Sequence, residues 1–157
     1  MAASATMNSA DGISGKLGDC YVTIDSQRKK LIQLKKVELK FEKSKTKMKI
    51  LGKTGDGNRS TGWSGTGTAT LYYNTDLFRE LIYAYKETGK DTYFEMQISN
   101  DDPTSAAGQK ITIAKNCNID GGILATLDAE AEVLEEEITF TFDDFEFPTK
   151  FVALSGM

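Results

Sequence analysis

The sequence predicts an α+β fold, a mostly antiparallel β-barrel or sandwich with one packed helix, a long loop and extended termini. Several segments alternate apolar and polar residues, with the period of two that is typical of half-buried strands. A single segment has the period of an amphipathic helix, and a glycine- and lysine-rich stretch separates two predicted strands. The 157 residues are expected to form one domain, with an N-terminal arm at 1–16, a loop at 43–61 and a C-terminal tail at 149–157.

The composition excludes several classes of protein. It is 39% hydrophobic and 27% charged, which is ordinary for a soluble globular chain. The net charge of −4 argues against electrostatic binding of nucleic acid, and the lack of histidine removes the commonest general base and metal ligand. Cys20 and Cys117 are expected to be buried as small hydrophobes. Residues 1–15 have no signal-peptide pattern, so the chain is expected to be cytosolic where it is made.

The first predicted strand is Cys20–Asp25, and a longer one covers Lys29–Lys43. In the longer strand the alternation of apolar residues changes phase between Leu34 and Val37. Because strand side chains alternate with a period of two, this change requires a bulge or bend near Lys35. Beyond it, the wet face of the strand is expected to consist of charged residues, Lys36, Glu38, Lys40 and Glu42.

The stretch Lys43–Thr61 is polar and rich in glycine, and it predicts a flexible loop. It contains Gly52-Lys53-Thr54, the last letters of a phosphate-binding P-loop, but Lys47 stands where that motif needs its first glycine. An EF-hand is excluded because Thr61 and Gly67 occupy the positions that require glycine and glutamate. Loops of this length are usually functional. Since two strands flank it, a protruding hairpin or flap is one form that it could take.

The next strand is Trp63–Tyr73, whose glycines predict close backbone approach or tight curvature. The helix is Asn74–Gly89, with Asn74 as its N-terminal cap and Gly89 at the C′ position. One stripe of the helix is apolar and should pack on the sheet, namely Leu77, Phe78, Leu81, Ile82 and Tyr85. The polar side chains should face water, namely Arg79, Glu80, Lys86 and Glu87.

Three further strands are predicted, Thr92–Ser99, Gln109–Ile119 and Ile138–Phe147. The first two should pair as a hairpin across the turn at 100–108. In the last, the apolar residues share one face, and Pro148 should end the strand. Residues 120–137 fit either a short helix or a loop.

The residues do not form a recognisable catalytic constellation. Neighbouring carboxylates such as Asp143 and Asp144 point to opposite faces of a strand, so they cannot easily share an acid–base site. The residues favour a structural building block. Two alternatives stay open: a monomeric β-barrel that binds a ligand on Trp63, and an enzyme that uses Lys53 or an acidic pair. We expect no catalysis, no cofactor and no metal.

Two stretches carry a family resemblance: "TGTATLYYNTDLFRELIYAYKETGKDTYFEMQISNDDPTSAAGQ" (Thr66–Gln109) and "LEEEITFTFDDFEFPTKF" (Leu134–Phe151). They resemble the tail tube proteins of contractile-tailed phages of Gram-positive bacteria, a family that also serves defective prophages and phage-tail-like bacteriocins. The order and spacing of the pieces carry the resemblance, which extends from about Gly12 to Phe151.

The resemblance implies a structural subunit that forms sixfold rings stacked into a hollow tube. A contractile sheath surrounds such a tube and drives it through a bacterial envelope, and each subunit contributes strands to a continuous inner β-barrel with its helix outside. The implied partners are other copies of the chain, the tail sheath, the baseplate hub, and the tape measure and tail terminator proteins, with DNA only as transient cargo. The implied location is a virion tail or bacteriocin particle assembled in the host cytoplasm.

Three sets of residues become candidates for contacts in such a tube. The candidates for ring stacking lie in the predicted loop, Lys47, Lys49, Lys53, Asp56, Asn58 and Arg59. The candidates for the channel wall lie on the polar faces of strands, Glu38, Lys40, Glu42, Thr66, Thr68, Thr70, Thr139, Thr141 and Asp143. The candidates for sheath contact lie on the helix, Arg79, Glu80 and Lys86. The acidic net charge predicts a neutral to acidic wall along which DNA would slide.

Overall fold

A computed structural model describes residues 6–157, so the start of the predicted N-terminal arm lies outside the described residues. The strands in chain order are β1 (Gly18–Ile24), β2 (Gln27–Lys30), β3 (Leu34–Met48), β4 (Gly57–Tyr72), β5 (Phe94–Asp101), β6 (Gln109–Gly121), β7 (Glu135–Phe142) and β8 (Asp144–Thr149). One α-helix, α1 (Leu77–Thr88), follows β4. The prediction of a mostly antiparallel β fold with a single helix is therefore confirmed for the described part of the chain.

The order of neighbouring strands is β2-β1-β5-β6-β7-β4-β3, and β8 also pairs with β6. The chain forms two compact units, one from the ranges 6–32, 94–115 and 145–157, the other from 33–93 and 116–144. Strand β6 passes from the first to the second at Asn116, whose φ of 52° lies in the left-handed region that asparagine adopts more readily than most residues. The single domain stays a prediction.

In the first unit, β1 lies between β2 and β5. Cys20 is paired with Ile98 and Val22 with Met96, so the predicted strand at 20–25 is confirmed. The inward residues of β1 and β5 alternate along each strand, as expected for a strand with one buried face. The fully or nearly fully buried ones are Cys20, Val22, Ile24, Phe94 and Met96.

In the second unit, β4 lies between β3 and β7, and one face of this three-stranded sheet is buried. The helix lies at that face, because its Arg79 pairs with the inward-facing Glu136 of β7, and its Phe78 and Leu81 are both buried. A Cβ on Gly122 would lie 3.4 Å from Ile138 Cγ2 of β7 and 3.7 Å from Ile82 Cδ1 of the helix, so both side chains are close to this glycine. The buried residues of the sheet alternate with exposed ones, and they are Ala69, Leu71, Ile138, Phe140 and Phe142.

The bulge predicted near Lys35 is confirmed. The register of β3 against β4 shifts between Leu34 and Lys36, because Leu34 is opposite Leu71 whereas Lys36 is opposite Thr70. On both sides of the bulge an apolar residue of β3 is opposite a buried residue of β4, Leu34 opposite Leu71 and Val37 opposite Ala69. The shift therefore changes which face of the chain is inward, as the change of apolar phase indicated.

The helix is shorter at its start than predicted. It begins at Leu77, whose N–H donates to Thr75 Oγ1, so Asn74 does not cap it. Its end agrees with the prediction, because Gly89 has a φ of 69° and donates its N–H to the Tyr85 carbonyl. The Tyr85 side chain is exposed, so its place in the packed stripe was wrong.

Two glycines of β4 make room for aromatic rings of β7. A Cβ on Gly65 would collide with the Phe142 ring, and a Cβ on Gly67 would collide with the Phe140 ring and reach Leu39. Phe140 is completely buried, so its ring cannot turn aside without disturbing the core. The close approach predicted from the glycines is confirmed.

Replacing Gly67 with alanine is therefore expected to lower the free energy of unfolding by about 1–3 kcal/mol, as overpacking does. The matched control is Gly62→Ala in the same strand, because a Cβ on Gly62 would meet nothing within 4 Å. Urea denaturation of unassembled protein measures both. Equal stability of the two variants would contradict the packing argument.

The last predicted strand is divided. Strand β7 ends at Phe142 and β8 begins at Asp144, so Ile138–Phe147 is not one strand. Pro148 lies within β8 instead of ending it. The ambiguous stretch before β7 is a loop at 122–134. At the C-terminus the Val152 N–H donates to the Ala107 carbonyl, which holds the beginning of the predicted tail.

Candidate assembly surfaces

The face of β3, β4 and β7 opposite the core is a polar surface. Across the three strands, Glu38, Thr68 and Thr139 form one row of directly paired residues, and Lys40, Thr66 and Thr141 form the next. We call this surface the polar face, defined by Lys36, Glu38, Lys40, Glu42, Thr66, Thr68, Thr70, Glu137, Thr139 and Thr141. The structure thus brings together eight of the nine residues expected to line a channel.

The charges of the polar face alternate along β3. Glu38 Oε1 lies 3.2 Å from Lys40 Nζ, and Glu38 Oε2 lies 4.0 Å from Lys36 Nζ. These groups are well exposed, so the pairs add little stability. They do cancel one another's charge beside rows of uncharged threonine hydroxyls, and the face has no large field of one sign.

Asp143 does not belong to the polar face. Pairing of β7 with β4 ends at Phe142 opposite Gly65, and Asp143 lies in the break between β7 and β8. The period of two extrapolated from Thr139 and Thr141 fails here, because the strand stops before reaching it.

The predicted loop Lys43–Thr61 is mostly strand, so its boundaries were wrong. Strand β3 continues to Met48 and β4 begins at Gly57, which leaves only residues 49–56 as the connection. In this extension β3 and β4 remain paired, with Lys47 opposite Asn58, and a second register shift lies between Ser44 and Lys45. We call residues 43–63 the hairpin ribbon.

The hairpin ribbon is exposed along nearly its whole length on both sides. All six residues expected to stack rings lie within it and are exposed, Lys47, Lys49, Lys53, Asp56, Asn58 and Arg59. A two-stranded ribbon without a core is only marginally stable by itself. The ribbon therefore has the properties of an element that is completed by a partner.

The outer face of the helix contains only two of its three predicted residues. Glu80 and Lys86 are exposed, but the Arg79 side chain is 14% exposed and turns inward, so its expected outward position was wrong. The Arg79 guanidinium pairs with the buried Glu136 carboxylate and with Asp76 Oδ1 at 2.6 Å. It also donates to the Ile123 carbonyl at 3.3 Å.

Residues 5–149, nearly the whole chain, match the model of a protein family that is described as phage tail tube protein. The chain belongs to the phage tail tube protein family. A curated relative, the phage-like element PBSX protein XkdM of Bacillus subtilis, is 38% identical over 138 residues, covering 88% of this chain and 91% of the relative. The resemblance noted in the sequence is thereby confirmed.

Solved structures share the fold of this tail tube protein at low sequence identity. A chain of the sheath-tube complex of an extracellular contractile injection system, PVC, superposes with a TM-score of 0.66 at 14% identity, covering 94% of this chain and all of that one. The SPP1 tail tube superposes with a TM-score of 0.64 at 11% identity, covering 90% of this chain and 81% of that one.

The tail tube protein has buried thiols rather than reactive ones. Both Cys20 and Cys117 are buried, as predicted, and burial raises the pKa of the Cys20 thiol to about 12. Among residues 6–157 no cluster of three or more acidic residues or cysteines could hold a metal ion. Within the same range, no helix has the length and apolar character needed to cross a membrane.

The Trp63 ring contacts two other aromatic rings of the tail tube protein. Its ring stacks on Phe41 with centroids 5.1 Å apart and lies 6.3 Å from the Phe142 ring. These contacts occupy part of the surface that a ligand-binding platform would need, which weakens that alternative. Lys53, the residue considered for an enzyme, lies in the exposed turn of the hairpin ribbon.

Two buried carboxylates of the tail tube protein were missed from the sequence. Glu136 is 4% exposed, and a signal was available, because it has the same parity as the buried Ile138 and Phe140. Asp102 is 5% exposed and accepts N–H groups from Ser14 at 2.9 Å and Thr104 at 3.0 Å. Asp102 thus ties the N-terminal segment to the turn at 102–108, a long-range contact that no local pattern reveals.

Proposed function

We propose that this tail tube protein is the structural subunit of the inner tube of a contractile phage tail or phage-tail-like bacteriocin. Its copies form hexameric rings that stack helically around a hollow channel, and contraction of a surrounding sheath drives the tube through the target envelope. One observation carries the proposal: the β3–β4–β7 sheet is buried on one face and polar, threonine-rich and charge-balanced on the other. A channel wall needs such a sheet.

The roles of the surfaces follow from their positions on the fold. The polar face lines the channel, where alternating charges and threonines give cargo no strongly attractive sites. The hairpin ribbon contacts neighbouring rings through Lys47, Lys49, Lys53, Asp56, Asn58 and Arg59. Glu80 and Lys86 face the sheath from the helix. The fold that this chain shares with a chain of a contractile sheath-tube complex and with a phage tail tube supports the proposal of a tube subunit.

The partners follow from the same proposal. They are other copies of the chain, the sheath, the baseplate hub, and the tape measure and terminator proteins at the ends of the tube. Assembly takes place in the host cytoplasm, and the product belongs to a virion tail or a bacteriocin particle. In a phage, DNA passes through the tube as transient cargo. The subunit performs no catalysis.

The channel assignment is tested by labelling single cysteines in assembled tubes. Thr68→Cys places a thiol at the centre of the polar face, and Glu80→Cys places one on the helix. Cys20 and Cys117 are buried, so background labelling is low. A maleimide on a polymer too large to enter the channel is expected to label both variants as protomers, but only Glu80→Cys in sheath-free tubes.

The size of the reagent provides the control. A small maleimide that diffuses through the open tube is expected to label Thr68→Cys in tubes as well, which shows that the thiol remains reactive. Electron microscopy of the same samples establishes that rings and tubes are present. Rapid labelling of Thr68→Cys by the large reagent, with protection of Glu80→Cys, would reverse the assignment of the two faces. A chain that stays monomeric in purified form would contradict the tube itself.

A further inference from the structure

The hairpin ribbon carries a concentration of unneutralised positive charge. Lys43, Lys45 and Lys47 occupy alternate positions of β3, so they share one side of the strand. In the part of the chain that the structure describes, none of them has a carboxylate within 4.0 Å, whereas Lys35 of the same strand lies 2.7 Å from Glu135. These lysines are therefore available for a partner with acidic groups.

The end of the ribbon is apolar as well as basic. Met48, Ile50 and Leu51 are exposed there, and Leu51 is fully exposed. Exposed apolar side chains at the end of a protruding element are typical of a contact surface. A partner that suits both features needs carboxylates and exposed aliphatic side chains together.

A second surface of this chain has that combination. Residues 122–134, here called the acidic loop, contain Asp128, Glu130 and Glu132 and no lysine or arginine. Within residues 6–157 none of these three carboxylates has an ion-pair partner. Leu124, Leu127 and Val133 are also exposed in the loop, and Leu127 is 98% exposed.

Both ends of the acidic loop are held by the protein. The Ile123 carbonyl accepts a hydrogen bond from Arg79, and the Leu134 carbonyl accepts the Tyr73 N–H at 2.9 Å. Inside the loop, Asp128 Oδ1 accepts the Glu130 N–H at 3.0 Å and forms a turn. The loop therefore presents its carboxylates from anchored ends, which reduces the entropy lost when a partner binds.

The ribbon and the acidic loop lie at opposite ends of β4. Gly57 at one end pairs with Met48 beside the tip of the ribbon, and Tyr72 at the other end pairs with Glu135, directly after the acidic loop. Strand β4 has 16 residues, which is roughly 50 Å at about 3.3 Å per residue. The two surfaces cannot meet within one copy, but successive copies can bring them together head to tail, the geometry of an open polymer.

We propose that the acidic loop of one copy receives the hairpin ribbon of a copy in the adjacent ring. This inference rests on the proposed tube and names the surface that completes the stacking contact. The lysines pair with Glu130 and Glu132, and the apolar tip packs on the exposed leucines of the loop. The two different surfaces make the stack directional, because a ribbon meets a loop at every step and never another ribbon.

Charge reversal tests the pairing. Lys45→Glu/Lys47→Glu changes the ribbon, Glu130→Lys/Glu132→Lys changes the loop, and the combined fourfold variant exchanges the charges. All four side chains are exposed, so the variants are expected to fold, which circular dichroism and gel filtration verify. Each double variant is expected to lose sedimentable tubes, and the fourfold variant is expected to recover them. A mixture of the two double variants should also assemble, with alternating rings.

The outcomes separate this inference from the proposed function. If the loop variant forms tubes like the unaltered protein, or the fourfold variant fails to recover tubes that both doubles lose, the ribbon has another acceptor while the tube stands. If the unaltered chain forms no tubes, both proposals fail. The matched control Glu87→Lys/Lys90→Glu, which reverses two exposed charges at the end of the helix, is expected to assemble normally.

Discussion

Replacing Arg79 with methionine is expected to lower the free energy of unfolding by about 3–5 kcal/mol, because it leaves the buried Glu136 carboxylate without its cation. The loss goes beyond one ion pair. Arg79 also donates to the Ile123 carbonyl and lies over the Tyr73 ring, 4.6 Å from its centroid. One guanidinium thus holds together the start of the helix, the acidic loop and the start of β7. Urea denaturation of the unassembled protein measures the effect.

Two further variants isolate the cause. Lys86→Met removes an exposed cation that lies 3.1 Å from Glu87 on the same helix, and it is expected to cost less than about 1 kcal/mol. Arg79→Met/Glu136→Leu removes the buried charge together with its partner, so it should recover a large part of the lost stability. If Arg79→Met is no more destabilising than Lys86→Met, the buried pair is unimportant to the fold.

Replacing Leu81 with alanine is expected to cost about 2–5 kcal/mol, the range for emptying a buried leucine site. Leu81 is 8% exposed and, with Phe78, forms the buried face of the helix. The control is Tyr85→Ala one turn later, because Tyr85 is 55% exposed and its removal should change stability by no more than about 0.5 kcal/mol. A thermal melt of both variants distinguishes the two positions, and similar losses would show that the packed face of the helix extends to Tyr85.

The parts of the fold that bury apolar side chains were predictable from the sequence. The change of phase between Leu34 and Val37 predicted the bulge, and Gly89 marked the end of the helix, because each has a local physical cause. The threonines of β4 and β7 were expected on polar strand faces. Their direct pairing follows from the register between the strands, which the pattern of a single strand does not contain.

The parts that depend on tertiary pairing were not predictable. Both strands of the hairpin ribbon are exposed on both sides, so no apolar alternation marks them and they resemble a loop. Arg79 has the spacing of a solvent-facing residue, and only the neighbouring β7 supplies Glu136 to draw it inward. The break at Asp143 likewise depends on where β7 stops pairing with β4.

The change of environment along β4 has a consequence for amide hydrogen exchange. From Gly65 to Tyr72 the strand has a neighbour on each side, whereas from Gly57 to Ser64 it pairs with β3 alone. In unassembled protein, slow exchange is expected to end near Gly65, because a ribbon without a core opens locally at low free energy. Neighbouring copies would slow exchange in residues 57–64 of β4. The position along this strand at which slow exchange ends therefore reports whether the protomer is alone or part of a polymer.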